Sequence, residues 1–135
     1  MGRVYHLQAQ EREGILRRLS QTLGERADVA FAYAYGSFLQ QDRFRDIDVA
    51  VWTTAEASAR IDVELGTALS RALAHPIDVR VVNEAPVAFL FHVVRGRLLA
   101  VRDERLLADV IERTARVYHD LAPLVRQATR EAFTA

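Results

Sequence analysis

Three aspartates stand where strand geometry would bring their carboxylates together. Asp46 and Asp48 flank Ile47, and Asp78 follows Ile77 in the next apolar run. Residues two apart in a β-strand project from the same face, so the first two carboxylates should lie side by side. Close carboxylates repel each other and need a compensating cation, for which a hard divalent ion such as Mg²⁺ is suited. If the two strands pair, all three carboxylates could form a two-metal phosphoryl-transfer site.

A glycine and a serine end the apolar run that precedes these carboxylates. Gly36 allows a backbone to approach a phosphate closely. If a helix begins at Ser37, its unpaired N–H groups and positive dipole end favour an anion, and the serine hydroxyl adds a donor. Phosphate donors beside metal ligands suit Mg-nucleotide better than a bare metal ion. The pair is therefore predicted to bind nucleotide, and the three aspartates are predicted to be metal-binding and catalytic.

Hydrophobic periodicity predicts the elements that must position these residues. Thr53 and Glu56 form a capping-box pattern, which predicts that a helix opens at Thr53 and runs to residue 73. Asp103 is predicted to cap a long last helix that Pro123 should kink or split. The remaining predicted elements are helices over about 6–24 and 86–95, a helical turn with a loop over 38–45, and strands over 29–35, 46–52, 77–82 and 98–101.

This order of elements predicts an α/β (α+β) fold: a small mixed sheet of three or four strands, helices packed on it, and a long C-terminal helix. The alternation of aromatic residues with alanine over 29–35 is more typical of a core strand than of an adenine platform. Arg43 and Arg45 would lie beside the site, where they could contact a triphosphate, a partner or only solvent. Arg80 would share a face with Asp78 and could pair with a carboxylate or a phosphate.

Bulk composition narrows the function classes. The chain has 135 residues, which predicts a single domain over 1–135. Its 18 basic residues balance 18 acidic ones, so no net positive field favours direct nucleic-acid binding. There is no cysteine, and the four histidines show no metal-ligand spacing. No apolar run reaches the roughly 20 residues that span a bilayer, and no signal peptide is evident, so a cytoplasmic location without membrane contact is expected.

The order Gly36-Ser37, eight residues, Asp46 and Asp48 in an apolar strand, then Asp78 on the next strand resembles the signature of the nucleotidyltransferase superfamily. The short length and a tail bearing Tyr, Asp and Leu over 118–121 resemble most the minimal nucleotidyltransferase (MNT) antitoxins, which are paired with HEPN toxins.

This resemblance implies a fold and an activity. It implies that Asp46 and Asp48 hold two Mg²⁺ ions, that Asp78 helps activate an acceptor hydroxyl, and that Gly36 and Ser37 hold the phosphates of ATP. It also implies transfer of AMP from ATP to a tyrosine hydroxyl of a partner HEPN toxin carrying an Arg-x4-His motif. The chain would then be an antitoxin, active in a hetero-oligomer.

The sequence departs from the family pattern between the two motifs. The eight residues 38–45 are fewer than the family usually has. Leu39-Gln40-Gln41 stands where the family often has a small residue followed by arginine and glycine. Arg45 stands where a serine often precedes the first aspartate. An alternative therefore stays open: an antitoxin with a weak or inactive site that neutralises its toxin by binding alone. A small-molecule transferase is disfavoured because the chain leaves little room for extra substrate-binding elements.

Overall fold

The computed structural model describes the backbone from Arg3 to Thr134 and the side chains as far as His119. Strands and helices alternate along the chain, except that β3 is followed directly by β4. The strands are β1 (Tyr5–His6), β2 (Val29–Tyr35), β3 (Arg43–Phe44), β4 (Ile47–Thr53), β5 (Ile77–Val81) and β6 (Arg97–Val101). The helices are α1 (Ala9–Gly24), α2 (Ser37–Gln40), α3 (Ile61–Leu73), α4 (Val87–Val94) and α5 (Glu104–Thr134). Between residues 3 and 134, no helix has the length and apolarity that crossing a bilayer requires.

Four strands form one mixed sheet in the order β5-β4-β2-β6. Strand β2 is antiparallel to both β4 and β6, whereas β4 and β5 run parallel. The predicted mixed sheet with packed helices is therefore confirmed. Strands β1 and β3 form a second, two-stranded pair that the sequence pattern did not predict, because two residues are too short to show a period.

The sheet carries helices on both faces. On one face, Ala32 and Ala34 of β2 pack in the core formed with α1 and α3. On the other, Phe31, Tyr33 and Tyr35 pack with α4 and the start of α5. All five side chains are buried, so the predicted core role of the aromatic alternation is confirmed. The small alanines allow close packing on the first face, and the large rings fill the second.

The helix predicted to open at Thr53 opens eight residues later, at Ile61. Thr53 is instead the last residue of β4. Its backbone N–H donates to Asn83 Oδ1 at 2.9 Å, and Asn83 Nδ2 donates back to the Thr53 carbonyl at 2.8 Å. The capping-box prediction was wrong because this long-range amide pairing satisfies the threonine backbone, and a local motif cannot anticipate it.

The last helix begins as predicted. Asp103 Oδ1 accepts the Leu106 N–H at 3.0 Å, which is the N-cap bond. Helix α5 then runs unbroken to Thr134, so of the two predicted effects of Pro123, a kink or a split, the split was wrong. A proline removes one intrahelical hydrogen bond, and the turns on either side can continue. Its apolar side chains at Leu107 and Val110 are buried. The side chains of Leu121, Leu124 and Val125, further apolar residues of this helix, lie outside the described residues.

Candidate active site

The three predicted aspartates converge at one end of the sheet. Asp46 lies directly before β4, Asp48 lies within β4, and Asp78 lies within β5. The parallel register places Asp48 opposite Asp78. One carboxylate oxygen from each of the three lies within 4.8 Å of the others, and each residue is partly buried. We call these residues the carboxylate cluster.

Electrostatics in this cluster favour a bound cation. Burial, followed by the negative charges of Asp46 and Asp78, raises the pKa of Asp48 to about 6, against the opposing charge of Arg80. A raised pKa at a carboxylate with two carboxylate neighbours indicates that the positive charge nearby is too small to offset their repulsion. Three oxygen donors this close fit a hard divalent ion such as Mg²⁺, which would relieve the repulsion.

Both the backbone conformation at position 36 and the lack of room for a Cβ beside Asp48 require a glycine there. Gly36 has φ 86° and ψ −157°, a region that is essentially restricted to glycine. A Cβ built there would lie 2.5 Å from Asp48 Oδ2. The backbone thus passes directly against the carboxylate cluster, and Ser37 follows as the first residue of α2, as predicted. We call Gly36 and Ser37 the Gly-Ser turn, and residues 38–45 the connecting loop.

A concavity of about 410 Å³ lies beside this turn. Ser37, Arg43, Arg45 and Asp46 line it. Both arginines are exposed, and across residues 3–119 neither forms an ion pair with a carboxylate. Two free guanidinium groups therefore border the space between the Gly-Ser turn and the first aspartate.

Tyr35 forms a wall of the site that the sequence pattern did not identify as functional. It is the direct cross-strand neighbour of Asp48, and its ring packs edge-on against Phe89 at 5.6 Å and His92 at 5.7 Å between centroids. Burial, followed by the charge of Asp48, raises the Tyr35 pKa to about 12. Its hydroxyl thus stays protonated and can donate a hydrogen bond. Only the non-local register of β2 and β4 reveals this placement.

Arg80 pairs with a site carboxylate, one of its two predicted alternatives. Its Nε lies 3.6 Å from Asp78 Oδ2, and its guanidinium lies over the Phe89 ring at 5.8 Å. The side chains of Arg80 and Asp78 are 59% and 43% exposed, so the pair is screened by solvent and contributes modestly to stability. The charge of Arg80 lowers the pKa of Asp48, against the larger effects of burial and of the other two aspartates.

Solved structures share this fold. The toxin–antitoxin complex MntA-HepT contains a chain with TM-score 0.56 and 18% identity, covering 90% of this chain and 99% of that one. A complex of tri-AMPylated Shewanella oneidensis HEPN toxin with MNT antitoxin gives TM-score 0.59 and 21% identity, covering 96% and 100%. A toxin–antitoxin structure with AMP-PNP gives TM-score 0.56 and 21% identity, covering 91% and 99%. At these identities the likeness establishes the fold.

Family membership follows from the sequence itself. No curated protein matches the chain significantly. Residues 17–105, however, match the family described as polymerase beta, nucleotidyltransferase. This range holds the Gly-Ser turn, the connecting loop and the whole carboxylate cluster. The recognised resemblance is thereby confirmed: the chain belongs to the polymerase beta nucleotidyltransferase family.

Proposed function

We propose that the chain is a Mg²⁺-dependent protein adenylyltransferase that transfers AMP from ATP to a tyrosine hydroxyl of a partner HEPN toxin and so acts as its antitoxin. The observation that carries this proposal is the contact between its two motifs. The Gly-Ser turn passes so close to Asp48 that a Cβ at position 36 would meet the carboxylate at 2.5 Å. Phosphate donors and metal ligands therefore share one site.

The residues have distinct proposed roles. Asp46, Asp48 and Asp78 would hold Mg²⁺, for which their oxygen spacing is suited. When bound, Mg²⁺ supplies positive charge against the phosphates and the charge that develops during transfer. Gly36 and Ser37 would hold the phosphates through backbone N–H groups and the serine hydroxyl, in keeping with the free N–H groups of a helix start.

The transfer step needs an in-line attack. The tyrosine oxygen of the partner forms a bond to the α-phosphorus of ATP, and the bond from that phosphorus to the bridging oxygen breaks, so that pyrophosphate leaves. Asp78 is proposed to accept the hydroxyl proton, aided by its position at the exposed edge strand β5. Catalysis would rest on charge and alignment, with no covalent protein intermediate.

Two observations on related structures support the partner and the nucleotide. The MNT antitoxin of similar fold is bound to a tri-AMPylated HEPN toxin, and another toxin–antitoxin structure of similar fold contains AMP-PNP. Because the proposed substrate is ATP, we place the reaction in the cytoplasm.

Intact-mass spectrometry of a separately purified HEPN partner tests the proposal. Mixed with wild-type chain and Mg-ATP, the partner should gain one or more AMP units, and its ribonuclease activity should fall. The double variant Asp46→Asn/Asp48→Asn should add none. Asp109→Asn, which removes one of the exposed carboxylates of α5, is the control and should match wild type. A wild-type chain that leaves the partner mass unchanged would reject the proposed activity.

The shortened connecting loop favours a second candidate, neutralisation by binding alone. Its eight residues depart from the family pattern next to both motifs. In that case the double asparagine variant should still protect cells from the toxin and co-purify with it. Loss of protection with retained co-purification would reject this candidate and favour the enzyme.

A further inference from the structure

Arg12, in the first turn of α1, joins three backbone segments around the Gly-Ser turn. Its Nε donates to the Leu7 carbonyl at 3.1 Å. Its two terminal nitrogens donate to the carbonyls of Phe38 and Asp42. Phe38 follows the turn directly, and Asp42 lies beyond α2 in the connecting loop. A single side chain therefore holds α2 and the loop that follows it against α1.

Aromatic rings fix the guanidinium in place. The central carbon of the Arg12 guanidinium lies 5.2 Å from the Phe38 ring and 5.4 Å from the Phe44 ring. Those rings pack edge-on at 4.9 Å between centroids, and both are buried. Cation–π contact with two rings restrains the side chain beyond what its hydrogen bonds provide.

The bonding pattern requires arginine. A guanidinium has five N–H donors in a rigid plane, whereas a lysine ammonium is a single point with three. The last carbonyls of a helix lack intrahelical partners, and Arg12 supplies one to Phe38 in α2. Across residues 3–119, no carboxylate forms an ion pair with Arg12. Its contacts thus serve to place backbone rather than to neutralise charge.

We infer that Arg12 is a positioning residue for the transfer reaction: by holding Phe38 and Asp42 it sets the place of the Gly-Ser turn relative to the carboxylate cluster. The inference rests on the proposed function. It explains how a connecting loop shorter than the family pattern still delivers the turn to Asp48. The loop is drawn against α1 at Phe38 and Asp42, and β3 is then held by its pairing with β1.

Nucleotide affinity and turnover of three variants test the inference. Arg12→Ala and Arg12→Lys should each weaken Mg-ATP binding and lower the AMP transfer rate, by about 10-fold to 100-fold in kcat/KM, because a displacement near 1 Å can cost that much. Arg18→Ala is a matched control, since Arg18 also lies on α1 and also donates to a distant carbonyl, that of Ala72 at 3.0 Å. It should stay within about twofold of wild type, because Ala72 lies on α3.

Two further readouts separate positioning from general destabilisation. Free guanidinium ion should partly restore the activity of Arg12→Ala, since it can fill the vacated place between the rings, and should not affect Arg18→Ala. Affinity for Mn²⁺ alone, measured without nucleotide, should change by less than about threefold in Arg12→Ala, because Asp48 and Asp78 are held by paired strands. The amide NMR signals of Gly36 and Ser37 should shift in Arg12→Ala and not in the control.

The outcomes distinguish this inference from the proposed function. Wild-type activity together with full activity in both Arg12 variants would overturn the positioning role and leave the proposed function intact. Equal losses in Arg12→Ala and Arg18→Ala, without rescue by guanidinium, would also overturn it. A wild-type chain that binds no Mg-ATP would overturn both.

Discussion

The candidate site has two halves: the carboxylate cluster, which we call the metal half, and the Gly-Ser turn with the connecting loop, which we call the phosphate half. The two are held in place by different kinds of contact. Asp48 and Asp78 lie on neighbouring strands whose backbone ladder sets their register. The Gly-Ser turn and the connecting loop are held by a four-residue helix, a two-residue strand pair, the buried rings of Phe38 and Phe44 and the side chain of Arg12. The proposed metal ligands Asp48 and Asp78 are thus fixed by the sheet, whereas the proposed phosphate donors are placed by the turn and the loop. A loop of changed length can be accommodated in the second half without disturbing the first.

Replacing the glycine at the junction of the halves should have the largest effect. In Gly36→Ala, the new Cβ would have to share space with Asp48 Oδ2, and the backbone would be strained, at a cost of about 1–3 kcal/mol from the backbone alone. We expect at least a 100-fold loss of AMP transfer, because both motifs are displaced. The measurement is AMP incorporation into the partner, with unfolding followed in parallel.

Gly14→Ala provides the control for that variant. Gly14 lies within α1, and nothing stands within 4 Å of a Cβ built there. An alanine should therefore stabilise the fold by about 0.4–1 kcal/mol and leave transfer unchanged. Full transfer by Gly36→Ala would contradict the close junction of the two halves.

Removing the serine hydroxyl should affect only the phosphate half. Ser37→Ala is expected to weaken Mg-ATP binding by about 10-fold, as for the loss of one hydrogen bond to a charged group. Mn²⁺ affinity without nucleotide should not change, because the carboxylate cluster is untouched. Titration calorimetry with each ligand measures both. A parallel loss of Mn²⁺ affinity would show that the halves are not separable in this way.

The metal half should show a pH signature in the absence of metal. The folded-state pKa of Asp48 is about 6 against an ordinary value of 3.8, so the folded protein holds an extra proton between those values. Stability of the metal-free protein should therefore fall as pH rises from about 4 to about 6, then level off. Asp48→Asn removes this penalty and should raise the Tm at pH 7.5 by about 4 °C, equivalent to about 1 kcal/mol after solvent screening of this half-buried group.

Mg²⁺ should reverse the order of the Tm values of the wild type and Asp48→Asn at pH 7.5. It should raise the Tm of the wild type at pH 7.5 and have little effect on Asp48→Asn, and its effect on the wild type should fade as pH drops through about 6. Thermal unfolding at pH 4, 6 and 7.5 checks both statements. A Tm difference that is independent of pH would contradict the assigned cause.

The same contrast explains what the sequence could predict. The two-residue period placed Asp46 and Asp48 together, and the flanking apolar residues assigned Asp78 to a strand, so the three residues were predictable from local pattern. That Asp78 joins the other two depends on the pairing of β4 with β5, which the sequence left as a condition. The β1–β3 pair and the bonds of Arg12 join residues far apart in the chain and leave no periodic signal. Thr53 shows the same limit, since a distant asparagine overrode its local capping pattern.

Charge at the edge of the phosphate half should have the smallest effect. Arg45 lines the concavity with Ser37 and Asp46, but it is exposed to solvent. We expect Arg45→Gln to weaken Mg-ATP binding by about threefold at low salt, in keeping with exposed ion pairs worth up to about 1 kcal/mol, and less as salt is raised. The control is Arg105→Gln, in the first turn of α5. This turn follows the end of β6 at Val101, which pairs with Phe31 near the opposite end of β2 from the Gly-Ser turn. An equal loss in both variants, or a loss that persists at high salt, would mean that Arg45 does not act on the phosphates through its charge.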